Sequence, residues 1–208
     1  MKIVNAGYEF LTPIDGNAIL RIIEQVGRVC YKSEDNITDD SAIEFAKKII
    51  KRGHEAVLEH YSFTVKFIVD RGVSHEIVRH RLASYCQEST RYCNYSKDKF
   101  GNEITVIKPC FWDEGTDSFV DWKSAMRMAE AHYFDLLSQG ATPQEARAVL
   151  PNSLKTEIVM TADIREWRHF FKLRTNAAAH PQMREVAIPL LKECQAKIPV
   201  LFDDIEVK

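Results

Sequence analysis

The 208-residue chain lacks most of the short signatures that announce a particular chemistry. Its five cysteines (Cys30, Cys86, Cys93, Cys110 and Cys194) contain no C-x-x-C pair. That argues against a zinc ribbon or a disulfide framework, and for reduced thiols. There is no G-x-G-x-x-G and no P-loop, so any dinucleotide must be held by side chains and helix ends. No G-x-S-x-G frames a nucleophile, which leaves Cys86 and Ser89 weak candidates for acyl transfer. No stretch approaches a membrane span, and the opening MKIVNAGYEFLTP lacks the apolar core of a signal peptide. The expectation is a cytoplasmic protein with no membrane partner. A broad basic excess is missing too: 28 Lys and Arg stand against 30 Asp and Glu, a formal charge of −2. General electrostatic binding to nucleic acid is therefore not expected.

What is present is a 45% hydrophobic chain, enough for a sizeable core, with no repeat and no linker-like tract. One domain over 1–208 is the natural reading. MKIVNAGYEFL reads as an opening strand, stopped by Pro13 and the turn signal Asp15-Gly16. Helical patterns follow over about 17–30 and 40–52. YSFTVKFIV alternates strictly, with Tyr61, Phe63, Val65, Phe67 and Val69 on one face of a strand. Ser74 is expected to cap a helix running to about 82. EITVIKP is a short strand closed by Pro109. Phe119, Trp122, Met126, Ala129, Tyr133 and Leu136 describe one amphipathic helix over 118–140. Thr142-Pro143-Gln144-Glu145 is a capping box opening a helix that Pro151 ends. KTEIVMTA is a candidate strand, and helices near 163–174 and 182–196 complete the chain. Few strands among more helices, without regular alternation, point to an α+β fold.

The local charge is concentrated in RHRLASYCQESTRY, residues 79–92. On a helical wheel of 73–82, His75, Glu76, Arg79 and His80 share an arc, and Arg81 falls among apolar neighbours, where it needs a partner. A solvated face paired through Glu76 is the bland alternative. The wheel of DIREWRHFFKLR is more telling. Ile164, Trp167, Phe170 and Phe171 form an apolar stripe with Arg174 in its middle, and Arg165 and His169 share the opposite side. An inward arginine requires either an anionic or carbonyl-rich ligand or a buried Asp or Glu. Arg147, with the Ala146/Val149/Leu150 face turned away from it, and Arg91 and Ser89 add guanidiniums and hydroxyls of the kind that hold phosphates. HEAVLEH places two histidines six apart rather than the four a zincin needs, so no metal site is expected. His54 and His60 read instead as a helix-start histidine and a core histidine.

Arg79-His80-Arg81, seven residues, then Ser89, form an R-H-R-x7-S pattern. With GHEAVLEH before it, SYCQESTRY within it, then EARAVLP and LRTNAAAHPQMREVA, the chain from about 40 to 196 resembles the flavin-dependent thymidylate synthases. The resemblance implies an α+β fold with an antiparallel or mixed sheet flanked by helices, assembled as a homotetramer with shared active sites. It implies methylation of dUMP to dTMP, with 5,10-methylenetetrahydrofolate as carbon donor, reduced FAD as hydride donor and NADPH as reductant. No protein nucleophile is needed. By position, Glu76, Ile77, Val78, Arg79, Gln87, Glu88, Ser89, Thr90, Arg91, Arg147 and Arg174 match dUMP-binding positions. His54, Ala56, Arg79, His80, Arg81, Gln87, Asp163, Ile164, Arg165 and His169 match FAD-binding positions. Arg174 corresponds to the residue that meets the uracil ring. Ala56, Glu76, Asp163 and His169 depart from the family pattern, and two residues stand inserted between Arg174 and His180, so His180 is assigned no role. The rival readings are a non-catalytic nucleotide- or RNA-binding protein, and a flavoprotein of this kind restricted to NADPH oxidation.

Overall fold

Alternation and capping account for most of the element boundaries in a computed structural model that describes residues 1–198 and 200–207. The elements run β1 (Lys2–Val4), β2 (Gly7–Phe10), α1 (Gly16–Val29), α2 (Ser41–Arg52), β3 (Ser62–Asp70), α3 (Arg71–Ile77), β4 (Ala83–Gln87), β5 (Thr105–Ile107), α4 (Asp117–Ser138), α5 (Pro143–Ala146), β6 (Lys155–Asp163), α6 (Ile164–Arg174) and α7 (Pro181–Lys197). A 3₁₀ turn over Glu55–His60 leads into β3. Among the described residues two sheets form, a β1–β5 pair and a sheet of order β2-β3-β6-β4, and helices flank them in an α+β arrangement. β1 and β5 run parallel, with Lys2 opposite Thr105 and Val4 opposite Ile107. No described helix is long and apolar enough to cross a membrane.

The period-2 face of β3 is dry: Phe63, Val65, Phe67 and Val69 are each fully buried. α2 stops at Gly53, whose φ of 67° is the left-handed conformation that glycine adopts without steric cost. Thr142 and Glu145 close the expected capping box, and Pro143 takes the first helical position of α5.

Several expectations are corrected. The opening strand is two short strands separated at Asn5 and Ala6. The helix expected from Ser74 to 82 begins and ends earlier. Asp70 accepts the Val73 N–H at 2.7 Å and takes the N-cap, while Val78 closes the helix. Ser74 lies inside it, buried, donating to the Arg71 carbonyl. Arg79, His80 and Arg81 therefore lie beyond the helix, and the 73–82 wheel does not apply to them. Arg81 is exposed rather than set among apolar groups, and Leu82 is 74% exposed. His60 is exposed and not a core residue, and Val149 is exposed although Ala146 beside Arg147 is buried.

The chain divides into two compact units. The first comprises Met1–Gly7, Phe67–Arg79 and Cys86–Val159. Its core gathers Tyr95, Ile104, Val106, Phe119, Trp122, Met126, Tyr133, Ala146 and Leu154. The indole of Trp122 donates to the Ser153 hydroxyl at 3.1 Å, so its polar edge is satisfied. The second comprises Tyr8–Lys66, His80–Tyr85 and Met160–Lys208. Its centre is aromatic: Trp167 stacks on Phe63 with centroids 4.8 Å apart and donates to the Phe63 carbonyl. Phe170 and Phe171 pack against Trp167, and Phe202 packs on Phe171.

Candidate functional site

The residues matched to nucleotide binding fall in the first unit, Arg174 excepted. β4 ends at Gln87, whose amide donates to the Ser74 hydroxyl at 2.9 Å and the Thr156 hydroxyl at 3.3 Å. Both hydroxyls are fully buried, so the end of β4 is pinned to α3 and β6. Glu88 follows, with its N–H on the Glu157 carbonyl. Its carboxylate accepts from Lys155 Nζ at 3.0 Å and from the Tyr95 hydroxyl at 3.2 Å. Burial, with the Glu88 charge second, pushes the Tyr95 phenol far up, so that phenol remains a donor.

The chain then turns on Ser89. Its carbonyl accepts from the N–H groups of Tyr92 and Cys93, and its hydroxyl accepts from the Arg91 N–H at 3.3 Å. The turn leaves Arg91 exposed, with its guanidinium 5.5 Å from the Tyr92 ring centroid. Thr90 is buried and receives Arg147 Nη1 at 3.4 Å. A guanidinium and a hydroxyl from segments 57 residues apart thus meet in this unit. Arg79 and Val78 are exposed at the end of α3, Glu76 is half-buried and Ile77 is buried.

The residues matched to the flavin fall in the second unit, except Arg79 and Gln87. His54 is exposed, with Nδ1 3.2 Å from the Tyr31 hydroxyl, and Ala56 is exposed one residue into the turn that follows. Arg165 contacts Glu59 at 2.5 Å and Glu55 at 3.7 Å. Asp163 is the N-cap of α6, accepting the Glu166 N–H at 2.8 Å, and Ile164 is buried directly after it. Asp163, Arg165, Arg168, His169 and Lys172, with Glu55 and Glu59, line a cavity of about 400 Å³.

The cavity's donor set fits an FAD-like group. Arg165 and Lys172, paired here with Glu59 and Glu55, are cations of the kind that a pyrophosphate engages, and His169 has an exposed ring of the kind that a flat ligand engages. Arg168 is committed elsewhere: its guanidinium clasps Asp204 with two hydrogen bonds of 2.6 and 2.7 Å and also donates to the Leu201 carbonyl. Buried as it is, Arg168 forms part of the scaffold of α6.

His80 is 3% exposed. Its Nδ1 lies 3.0 Å from Glu166 Oε1, its Nε2 receives Arg174 Nε at 3.1 Å, and the Tyr85 hydroxyl donates to its carbonyl at 2.5 Å. The ring rests against Phe170 and His169. Burial first, then the charges of Arg174 and His169, push its pKa down to about 4, so it is neutral near pH 7. Burial raises the Glu166 carboxyl above its ordinary value. The potential ligand atoms of His80, Glu166 and His169 lie within 4.8 Å of one another. A guanidinium donating into that group is the wrong companion for a metal cation, and the arrangement reads as a hydrogen-bond chain.

The aromatic stripe of α6 lies as the wheel placed it, with Ile164, Trp167, Phe170 and Phe171 fully buried and Arg165 and His169 exposed. Arg174 is half-buried at the end of that stripe, on the imidazole of His80. Sequence reasoning missed Glu166, Lys155, Tyr95, Ser74 and Thr156. A glutamate three residues into a capped helix, or a lysine opening a strand, carries no signal of a partner more than 60 residues away.

Comparisons agree with the motif. The family model described as thymidylate synthase complementing protein matches residues 15–200, across both units. A flavin-dependent thymidylate synthase of Geobacter sulfurreducens is 33% identical over 189 residues, covering 85% of this chain and 78% of that protein. One from Mycolicibacterium gilvum is 34% identical over 219 residues, covering 96% and 84%. Among solved structures, a UMP/dUMP methylase from Streptomyces cacaoi bound with 5-Br dUMP superposes with a TM-score of 0.79. It covers 98% of this chain and 96% of its own at 21% identity, a likeness of fold.

Proposed function

The chain belongs to the flavin-dependent thymidylate synthase family, and from that premise we propose that it methylates dUMP to dTMP, with 5,10-methylenetetrahydrofolate as the carbon donor and NADPH as the reductant of its FAD. The observation that carries the reading is the meeting of Arg147 with Thr90 beside Ser89 and Arg91. A phosphate monoester needs convergent guanidiniums and hydroxyls, and a lone surface arginine offers neither.

When bound, reduced FAD supplies the hydride that completes the methyl group. The residues of the chain bind and orient. Arg147, Arg91, Ser89 and Thr90 hold the nucleotide phosphate. Gln87 and Glu88, fixed by Ser74, Thr156, Lys155 and Tyr95, present the end of β4 to the sugar and base. Glu76, Ile77 and Val78 bring Arg79 to the nucleotide, and Arg79 serves both dUMP and FAD. Arg81, Arg165, His169, Asp163, Ile164, His54 and Ala56 form the flavin side. Arg165 exchanges its carboxylate partners for pyrophosphate oxygens. His80 belongs to that side through its backbone, since its ring is buried against Phe170 and His169 and both ring nitrogens are engaged.

Arg174 stabilises negative charge developing on the pyrimidine. A guanidinium held in a dry site does this far better than one in water, because its field is not screened. That stabilisation removes the need for a protein nucleophile, and the exposed Cys86 keeps no role in the chemistry.

The proposal includes one functional domain and a homotetramer with active sites at subunit contacts. Support for the first is a family match that runs through both units. Support for the second is the exposure of Leu82 at 74% and Tyr92 at 79%, two large apolar groups flanking the arginine motif. Tritium release from carbon-5-labelled dUMP, in the presence of the folate, FAD and NADPH, tests the reaction. Release that depends on all of them is expected. NADPH oxidation without release would leave an oxidase, and failure to bind FAD would overturn the reading. Light scattering on the eluting protein tests the tetramer.

A further inference from the structure

Arginine can only donate hydrogen bonds, and that single fact orders the chain of contacts around His80. Arg174 Nε–H points at His80 Nε2, 3.1 Å away, so that nitrogen must carry a lone pair. In a neutral imidazole the proton then lies on Nδ1. Nδ1–H faces Glu166 Oε1 at 3.0 Å, so the glutamate oxygen must accept. Every polarity in the chain Glu166–His80–Arg174 is fixed by the one before it. The opposite tautomer would bring two N–H groups face to face at Arg174.

The helix makes this possible. Glu166, Phe170 and Arg174 stand at successive i, i+4 positions of α6 and share one side of it. The imidazole lies along that side, against Phe170, and its backbone carbonyl is held by the Tyr85 hydroxyl. Glu166 is 6% exposed, and its position is fixed at the N-terminal turn by the Asp163 cap. A buried carboxylate at this place needs a purpose, since burying it without a donor is costly.

We propose that Glu166 is a positioning residue for the methylation reaction: by holding His80 in the Nδ1–H tautomer it makes the imidazole an acceptor for Arg174, and so sets the plane in which that guanidinium meets the pyrimidine. The proposal rests on the role of Arg174 given above. Glu166 borders the cavity given above to the flavin, but its carboxylate is turned to His80 Nδ1 and it acts through that ring. A displacement of about 1 Å at a positioned group can cost on the order of 10²-fold in rate, which sets the scale of the effect.

The test compares Glu166→Gln with Glu166→Ala in the FAD-loaded chain. Glutamine keeps an oxygen acceptor at the right reach and should retain turnover within about threefold, whereas alanine should lower kcat by roughly 10- to 100-fold with a smaller change in the KM for dUMP. Nitrogen-15 chemical shifts of the His80 ring give a second readout, independent of turnover. The wild type and Glu166→Gln should show a protonated Nδ1 and a bare Nε2 at pH 7, and Glu166→Ala a mixture of tautomers. Equal kcat in both variants and the wild type would overturn the proposal. So would a wild-type His80 protonated at Nε2, a result that stands even if the alanine variant fails to fold. A wild type that releases no tritium fails the functional reading first, and the ring shifts then decide whether Glu166 still sets Arg174.

Discussion

Lys155 Nζ lies 3.0 Å from Glu88 Oε2 and 2.9 Å from Glu157 Oε1, so one ammonium at the start of β6 holds the carboxylate that follows β4. Glu88 is only 15% exposed at its side chain, and its other oxygen depends on Tyr95. Lys155→Met removes the charge and keeps much of the volume. Breaking a partly buried pair should cost about 1–3 kcal/mol, below the loss for a fully buried one, because solvent still reaches the site. Denaturant unfolding of wild type and variant measures it. Loss of dUMP affinity is expected in the same variant, since Glu88 would no longer be held at the end of β4.

Arg147→Ala should raise the KM for dUMP by roughly 10- to 100-fold, the scale of one charge-assisted hydrogen bond to a phosphate. Its turnover number should change less, because the phosphate is held equally in ground and transition states. Arg147→Lys should recover part of the affinity, as a point charge without the bidentate fork. Steady-state kinetics against dUMP separates these outcomes. An unchanged KM would remove Arg147 from the phosphate site.

Arg174→Ala should behave in the opposite way. Turnover is expected to fall by about 10²- to 10³-fold, the loss typical of a preorganised donor facing developing negative charge. The protein should stay folded and yellow, because the turn after His54 and the Asp163–Arg165 segment keep contacts of their own. Tritium release and the flavin absorbance, measured on one sample, decide it.

Asp163 carries two assignments, flavin contact and helix cap, and a pair of variants divides them. Asparagine caps as well as aspartate, so Asp163→Asn should change stability by less than about 0.5 kcal/mol, whereas Asp163→Ala should cost about 1 kcal/mol. Thermal unfolding of both variants measures the cap, and FAD titration measures the contact.

The buried His80 makes the fold sensitive to acid. Its pKa is about 4 in the folded chain against 6.5 for the free group. Between those values the unfolded chain binds the extra proton, so the contribution is fully present above pH 6.5 and is lost as pH falls toward 4. The raised Glu166 carboxyl works with the opposite sign, its contribution fading as pH rises through the folded value. Melting temperatures of wild type and His80→Asn from pH 7 to 4.5 should converge at the acid end, since the variant has no imidazole to protonate. Parallel curves would show that His80 is not titrating.

The sequence by itself determined the α+β class, most of the element boundaries and the family. Alternation in β3, the 3.6-residue stripe of α6, the capping box at Thr142 and the glycine stop at Gly53 are local effects, written within a few residues of where they act. The R-H-R-x7-S pattern is local too. Only the tertiary structure decided where α3 ends and which charges meet. Asp70 rather than Ser74, two competent caps four residues apart, starts the helix, and it closes at Val78, so Arg79, His80 and Arg81 lie beyond it. Glu166 with His80, Arg174 with His80 and Lys155 with Glu88 pair across 86, 94 and 67 residues. Charge attracts any opposite charge; which pair closes to 3 Å depends on how buried helices and strands come together, and no single stretch of chain contains that information.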